Sequence, residues 1–155
     1  MYYMLWKTHL AIGLAVAIYF SNFVTNPLIF IPVVLFVSLL PDVDSGLSRL
    51  GKKPIFRPLQ WTTNHRGILH SYTFAIVVSF LIALFYPVLA LPFFVGYSFH
   101  LIADSFTLQG IKAFWPLKFV SKGPVKTGGK VDKSMFYLFV LIDVVLIGTV
   151  FYNLL

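Results

Sequence analysis

Apolar residues gather into five runs along the chain. The first extends over 4–23, the second over 27–40, the third over 68–85, the fourth over 88–103 and the last over 135–155. A helix that crosses the hydrocarbon core of a bilayer needs about 20 residues at 1.5 Å rise. The second and fourth runs are short by that measure, so their ends are expected to be lined by protein or the bundle to be partly shallow. The turns "SNFVTNP" and "YP" are brief. Runs one and two are therefore read as one helical hairpin, and runs three and four as another. Pro32 and Pro92 fall inside apolar runs, where membrane bundles tolerate a kink. Two longer connections, 41–67 and 104–134, are rich in Gly, Pro and Lys. No internal repeat or low-complexity tract is visible.

Composition turns this pattern into a solvent assignment. Hydrophobic residues make up 59% of the 155 and charged residues 11%, against about 25% charged in a soluble domain. So few charges cannot cover a water-facing surface. The chain reads as a single all-α integral membrane domain, a bundle of about five helices over 1–155. Lys7 ahead of an apolar stretch resembles a signal peptide, but no small-residue cleavage site follows, and the stretch is read as a retained first span. The absence of cysteine excludes disulfides and thiolate metal sites.

Charge placement sets the orientation. The 12 basic residues are Lys7, Arg49, Lys52, Lys53, Arg57, Arg66, Lys112, Lys118, Lys122, Lys126, Lys130 and Lys133. All lie at the start of the first run or in the two long connections, and the two short turns have none. Five alternating spans put every one of them on one side, which the positive-inside rule makes cytoplasmic. The expectation is a multi-pass protein of a prokaryotic inner membrane, N-terminus inside and C-terminus outside. The net charge of +7 then serves topology and attraction to anionic lipid, about 1 kcal/mol per juxtamembrane Lys or Arg. The basic connections carry no base-stacking motif that would argue for nucleic acid.

The same topology gathers the chain's chelating groups. His9 opens run one. Asp42 and Asp44 follow run two in "LLPDVDS". His65 and His70 lead into run three, and His100 and Asp104 close run four in "HLIAD". A helix that starts inside and the one that returns meet on the same face, so all seven fall on the cytoplasmic side. His100 and Asp104, at i and i+4, share one helical face. His65 and His70 are five apart and cannot share one if both are helical, so Asn64 or His65 is expected at the helix cap with His70 one turn in. Mixed His and carboxylate ligation suits zinc, manganese or iron. Seven ligands exceed one tetrahedral site, so one or two divalent ions are expected, two being joined by a bridging Asp about 3.5–4 Å apart.

Several ordered motifs then carry a resemblance. "THLAIG" at Thr8–Gly13, "LLPDVDS" at Leu39–Ser45, "HRGILHS" at His65–Ser71, "HLIADSFTLQG" at His100–Gly110 and "WP" at Trp115–Pro116 together resemble the YdjM-like membrane-bound metal-dependent hydrolases. That family is distantly similar to the zinc-dependent phospholipase C and single-strand nuclease superfamily. The resemblance implies a helical metal centre, with His9, Asp42, Asp44, His65, His70, His100 and Asp104 as its residues, and phosphoester hydrolysis. The soluble members' further His-x-x-x-Glu pair has no counterpart, because no His follows His100 and the chain contains no Glu. Asp132 in "GGKVDKS" is the one acidic residue placed to stand in.

Three functions follow as expectations. The first is a metal-dependent hydrolase, of phosphodiesterase or phospholipase type, that cleaves an anionic phosphoester of a membrane lipid at the inner leaflet. The metal lowers the pKa of bound water toward about 7, Asp42 or Asp44 orients or deprotonates that water, and Arg66 clamps a phosphate oxygen with its planar fork. Ser71 and Thr107 cap or orient the ligands. The second is a metal carrier or sensor, against which stands a cluster at one face rather than at the midplane. Asp143, inside the last run, is the exception. The third is a membrane-tethered nuclease.

Overall fold

The computed structural model describes residues 6–46, 48–62 and 66–154. They form six α-helices: α1 (Trp6–Ser21), α2 (Pro27–Val37), α3 (Arg57–Thr62), α4 (Tyr72–Phe85), α5 (Pro87–Ser105) and α6 (Lys130–Leu154). Short 3-10 turns cover Pro41–Asp44, Pro54–Phe56 and Ile68–His70. Among the described residues there is no strand, and two isolated bridges, Thr107 with Val125 and Ile111 with Ser121, fold the second connection on itself.

Proline punctuates the hairpins. Pro27 and Pro87 occupy the first turns of α2 and α5, where the missing N–H would be unsatisfied anyway. α4 starts four residues later than the apolar run suggests. Ser71 accepts a hydrogen bond from Phe74 N at 3.2 Å and caps it, and the cap expected at Asn64 or His65 lies outside the described residues. α6 starts five residues earlier than expected, at Lys130. Asp132 Oδ2 accepts from Gly128 N at 2.7 Å and ties the preceding turn to this helix.

α5 is central. Its Phe93, Tyr97 and Leu101 pack with Val37 of α2 and Ala75 of α4, and Ile111 and Ala113 of the second connection close that cluster. Ala103 packs with Ile12 and Val16 of α1, flanked by Met135 and Phe139 of α6. Ala17, Phe30 and Val34 join α1 to α2. Two glycines set the helix spacing. A Cβ on Gly96 would lie 2.7 Å from Val34 O, and one on Gly13 would lie 2.8 Å from Ser38 Oγ, so α5 and α1 approach α2 at a distance only glycine permits.

Three stretches are long and apolar enough to cross a membrane: Pro27–Asp44, Pro87–Ser105 and Lys130–Tyr152. The described parts of α1 and α4, 16 and 14 residues, reach only about 24 and 21 Å at 1.5 Å per residue. Leu138, Leu141, Val144 and Val145 on α6 are exposed, as an apolar face turned to lipid requires. α1 and α6 run parallel, since Thr8 bonds Asp132 at their starts and Ile18 and Ser21 share a cavity with Ile147 and Val150 near their ends. The starts of α1, α4 and α6 and the ends of α2 and α5 therefore lie on one face.

Candidate metal centre

Four elements deliver chelating groups to that face. α1 brings His9 on its first turn. Pro41 ends the apolar helix, and the 3-10 turn it opens buries both Asp42 and Asp44. The turn Ile68–His70 presents His70, and the last turns of α5 present His100 and Asp104. All six are buried. His65 lies outside the described residues.

Four of the six converge on one point. Single ligand atoms of Asp42, His70, His100 and Asp104 all lie within 4.8 Å of one another and could hold a metal ion. His70 Nε2 is 3.7 Å from Asp42 Oδ1 and 3.6 Å from Asp104 Oδ2. His100 Nε2 is 3.9 and 3.8 Å from the same two oxygens. Donor atoms set tetrahedrally at the ~2.0–2.2 Å of zinc to nitrogen or carboxylate oxygen lie about 3.3–3.6 Å apart, slightly less than these four separations, so the two imidazoles and two carboxylates fit a divalent ion. Among the described residues this is the single group of that kind, which supplies ligands for one ion, the lower of the one or two expected.

The remaining groups brace the four. His100 Nδ1 donates to Ser38 O at 2.8 Å, which leaves Nε2 bare toward the cluster. His70 Nδ1 meets Asp44 Oδ2 at 3.1 Å, so Asp44 fixes that ring from behind instead of joining the ligand atoms. A carboxylate or carbonyl behind a ligating His is the usual way its tautomer is set. His9 stacks on His100, ring centroids 4.0 Å apart, and its Nε2 is 3.5 Å from Asp104 Oδ1. It thus addresses the outer oxygen of a ligand. His70 itself lies in the connection ahead of α4. Burial would lower its pKa, but Asp42 and Asp44 outweigh that and hold it up at about 9. An ion would displace that proton.

Arg66 reaches from the first connection to the second and to a ligand. Its Nη1 donates to Thr107 Oγ1 at 2.8 Å and to Gly110 O at 2.6 Å, and its Nη2 pairs with Asp104 Oδ2 at 3.2 Å. The guanidinium thereby clamps a ligand and the second connection, which leaves Nε as the guanidinium nitrogen without a hydrogen-bond partner among the described residues. Its φ of 60°, uncommon for a residue with a side chain, turns the backbone so that Arg66 N reaches Asp44 Oδ2 at 3.3 Å. Thr107 donates onward to Asp104 O at 2.7 Å, the positioning part expected of it. Asp132 does not stand in as a ligand, because it accepts from Thr8 Oγ1 at 2.8 Å and from Gly128 N.

Four contributors escaped the sequence reading. Tyr97 Oη donates to Leu69 O and pins the His70 turn. Gln60 Nε2 donates to Val43 O at 2.8 Å and Ser48 Oγ to Asp42 O at 2.6 Å, and both hold the aspartate turn. The Ser38 carbonyl carries no residue-type signal at all. Thr8, by contrast, stands beside His9 in a quoted motif, and its neighbour was the available clue.

A family profile described as "YdjM inner membrane protein" matches residues 4–154. The inner membrane protein YdjM of Escherichia coli (strain K12) is 31% identical over 133 residues, which cover 76% of this chain and 68% of that protein. Its Shigella flexneri counterpart gives the same figures. The uncharacterized protein YvsG of Bacillus subtilis (strain 168) is 29% identical over 117 residues, 71% of this chain and 72% of that one. No solved structure matches.

Proposed function

The chain belongs to the YdjM inner membrane protein family, and from that premise we propose that it is a membrane-bound, metal-dependent phosphoester hydrolase acting on lipid at the inner leaflet. The observation that carries the reading is the buried N2O2 cluster on the face where the helices begin and end. The basic connections lie on that same face, which the positive-inside rule would turn to the cytoplasm in a five-span arrangement.

Asp42, His70, His100 and Asp104 would hold the ion, with zinc, manganese and iron suited to that donor set. A divalent ion there supplies Lewis acidity, polarising a phosphoryl oxygen and acidifying water. Ser38 O and Asp44 engage the two Nδ1 atoms and so aim both Nε2 atoms inward, where an ion would take the place of the His70 proton. Arg66 and His9 fix Asp104 from two sides. Asp42, whose side chain is the most exposed of the four at 10%, is the carboxylate we assign to take a proton from an attacking water, and Asp44 would serve it indirectly through His70.

One observation favours a second reading. Four protein ligands complete a tetrahedral zinc shell, the arrangement of structural sites, whereas catalytic zinc keeps a position open. A six-coordinate manganese or iron would retain two open positions with the same four ligands. Elemental analysis of the purified protein, with turnover of phospholipid, phosphomonoester and single-stranded DNA measured with and without chelator, separates the two. The hydrolase reading expects chelator-sensitive cleavage of phospholipid that His70→Ala abolishes in a folded protein. One tightly held zinc without turnover on any substrate would replace it with the structural one.

A further inference from the structure

Beside the metal centre, where the two connections meet, is a cavity of about 190 Å³. Arg66, Gln109, Gly110, Lys112 and Val120 contribute to its lining, and no acidic residue does. Arg66 has a side chain nine-tenths buried. Its Nη1 spends both hydrogens on Thr107 and Gly110, while its Nε is buried with no partner among the described residues. A guanidinium carries five donors and no acceptor, so an unmatched buried N–H on it calls for an anionic or carbonyl oxygen. Lys112 adds a second, exposed cation at the mouth, and Gln109 adds an amide.

We propose that this cavity is an anion subsite that takes the phosphate of a membrane lipid headgroup. The volume far exceeds the roughly 10–15 Å³ that one water needs on the same measure, room for a phosphate with its ester linkages. Its outer wall argues for lipid as the source. Val120 belongs to a loop that also exposes Phe114, Trp115, Leu117 and Phe119, interleaved with the exposed Lys118 and followed by Lys122. Exposed aromatics among lysines suit the headgroup layer, where the rings sit at the interface and the ammonium groups face anionic lipid. The loop is anchored in this position by Ile111 and Ala113, which are buried in the core beside α4 and α5, and by Tyr72 N, which donates to Ala113 O at 2.8 Å. Through Arg66 the subsite is one ion pair from Asp104, so a headgroup bound there has its phosphorus beside the cluster.

The subsite deepens the hydrolase reading by naming its substrate's anchor, yet it is measured by binding alone. Titration calorimetry of the full chain in neutral detergent uses two probes, dihexanoyl phosphatidylglycerol and inorganic phosphate. We expect the lipid to bind more tightly than inorganic phosphate. Lys112→Gln should weaken it about tenfold, the loss of one hydrogen bond to a charged group. Lys118→Gln, on the same loop but outside the cavity, should leave it unchanged. Equal loss in both variants would mean diffuse attraction and would overturn the subsite, as would no binding of either probe. Equal binding of the two probes would overturn lipid as the source. Lys112-dependent binding without turnover would sink the hydrolase reading and spare this one. Turnover with binding indifferent to Lys112 would do the reverse.

Discussion

Gly96 lies one turn before His100 on α5, on the face that meets α2. A methyl group added there would sit 2.7 Å from Val34 O and 3.2 Å from both Val34 Cα and Val37 Cβ. Two of these three atoms are backbone, which cannot swing aside. Restoring an ordinary contact of 3.4 Å requires α5 and α2 to part by about 0.7 Å. Alanine gains about 1 kcal/mol of helix propensity over glycine, while overpacking a close contact costs about 1–3 kcal/mol. Gly96→Ala should therefore be destabilising on balance. The larger effect is expected at the metal centre. The same displacement stretches the His100 Nδ1 to Ser38 O bond from 2.8 Å to about 3.5 Å, beyond useful hydrogen bonding. Losing such a support behind a ligand typically costs about 10–100-fold in metal affinity. Gly148→Ala is the matched control, because its added Cβ meets nothing within 4 Å. Thermal unfolding in detergent and metal competition with a chromogenic chelator measure both quantities. If Gly96→Ala matched Gly148→Ala in midpoint and in metal affinity, the claim that glycine sets the α2–α5 spacing for the centre would be refuted.

Asp44→Asn should leave a ligand set of four but remove the charge behind His70, lowering metal affinity about 10–100-fold; chelator competition reads this, and loss of affinity as complete as in His70→Ala would make Asp44 a ligand instead. Asp132→Asn should keep the metal content unchanged while weakening the α1–α6 contact through Thr8, lowering stability by about 1–3 kcal/mol; a fall in metal per chain would restore Asp132 to the centre.

The gathering of the centre was legible in the chain because it follows from direction alone. Helices that alternate across a bilayer bring their starts and returns together, and the basic residues announce which ends those are. Residue type then picked out His70, His100, Asp42 and Asp104. Which candidates touch an ion and which stand behind it was not legible. That distinction rests on side-chain rotation: His70 shows Nε2 to the cluster because Asp44 holds Nδ1, and two aspartates separated by one residue look equivalent in a sequence. The hold that Arg66 has on the second connection was hidden for a related reason. Its partners Thr107 and Gly110 lie over forty residues away in a connection without regular structure. The late start of α4 hid behind the apolar Ile68 and Leu69, which extend the pattern of the helix although they belong to the turn before it.

The order in which the centre's parts enter the chain has a consequence for biogenesis. Synthesis delivers His9 and the Asp42–Asp44 turn with the first hairpin, long before His70, His100 or Asp104 exist. A half-made chain thus presents two carboxylates and an imidazole at the bilayer edge with no counter-groups to match them. α5 is the last helix needed, since it carries two of the four ligand atoms and packs against α1, α2 and α4. Its insertion would complete the set of four ligand atoms in one event. Ion capture would accordingly be a late step that only a chain with α1, α2, α4 and α5 all seated could complete, and a loaded centre would then be a built-in seal on correct assembly.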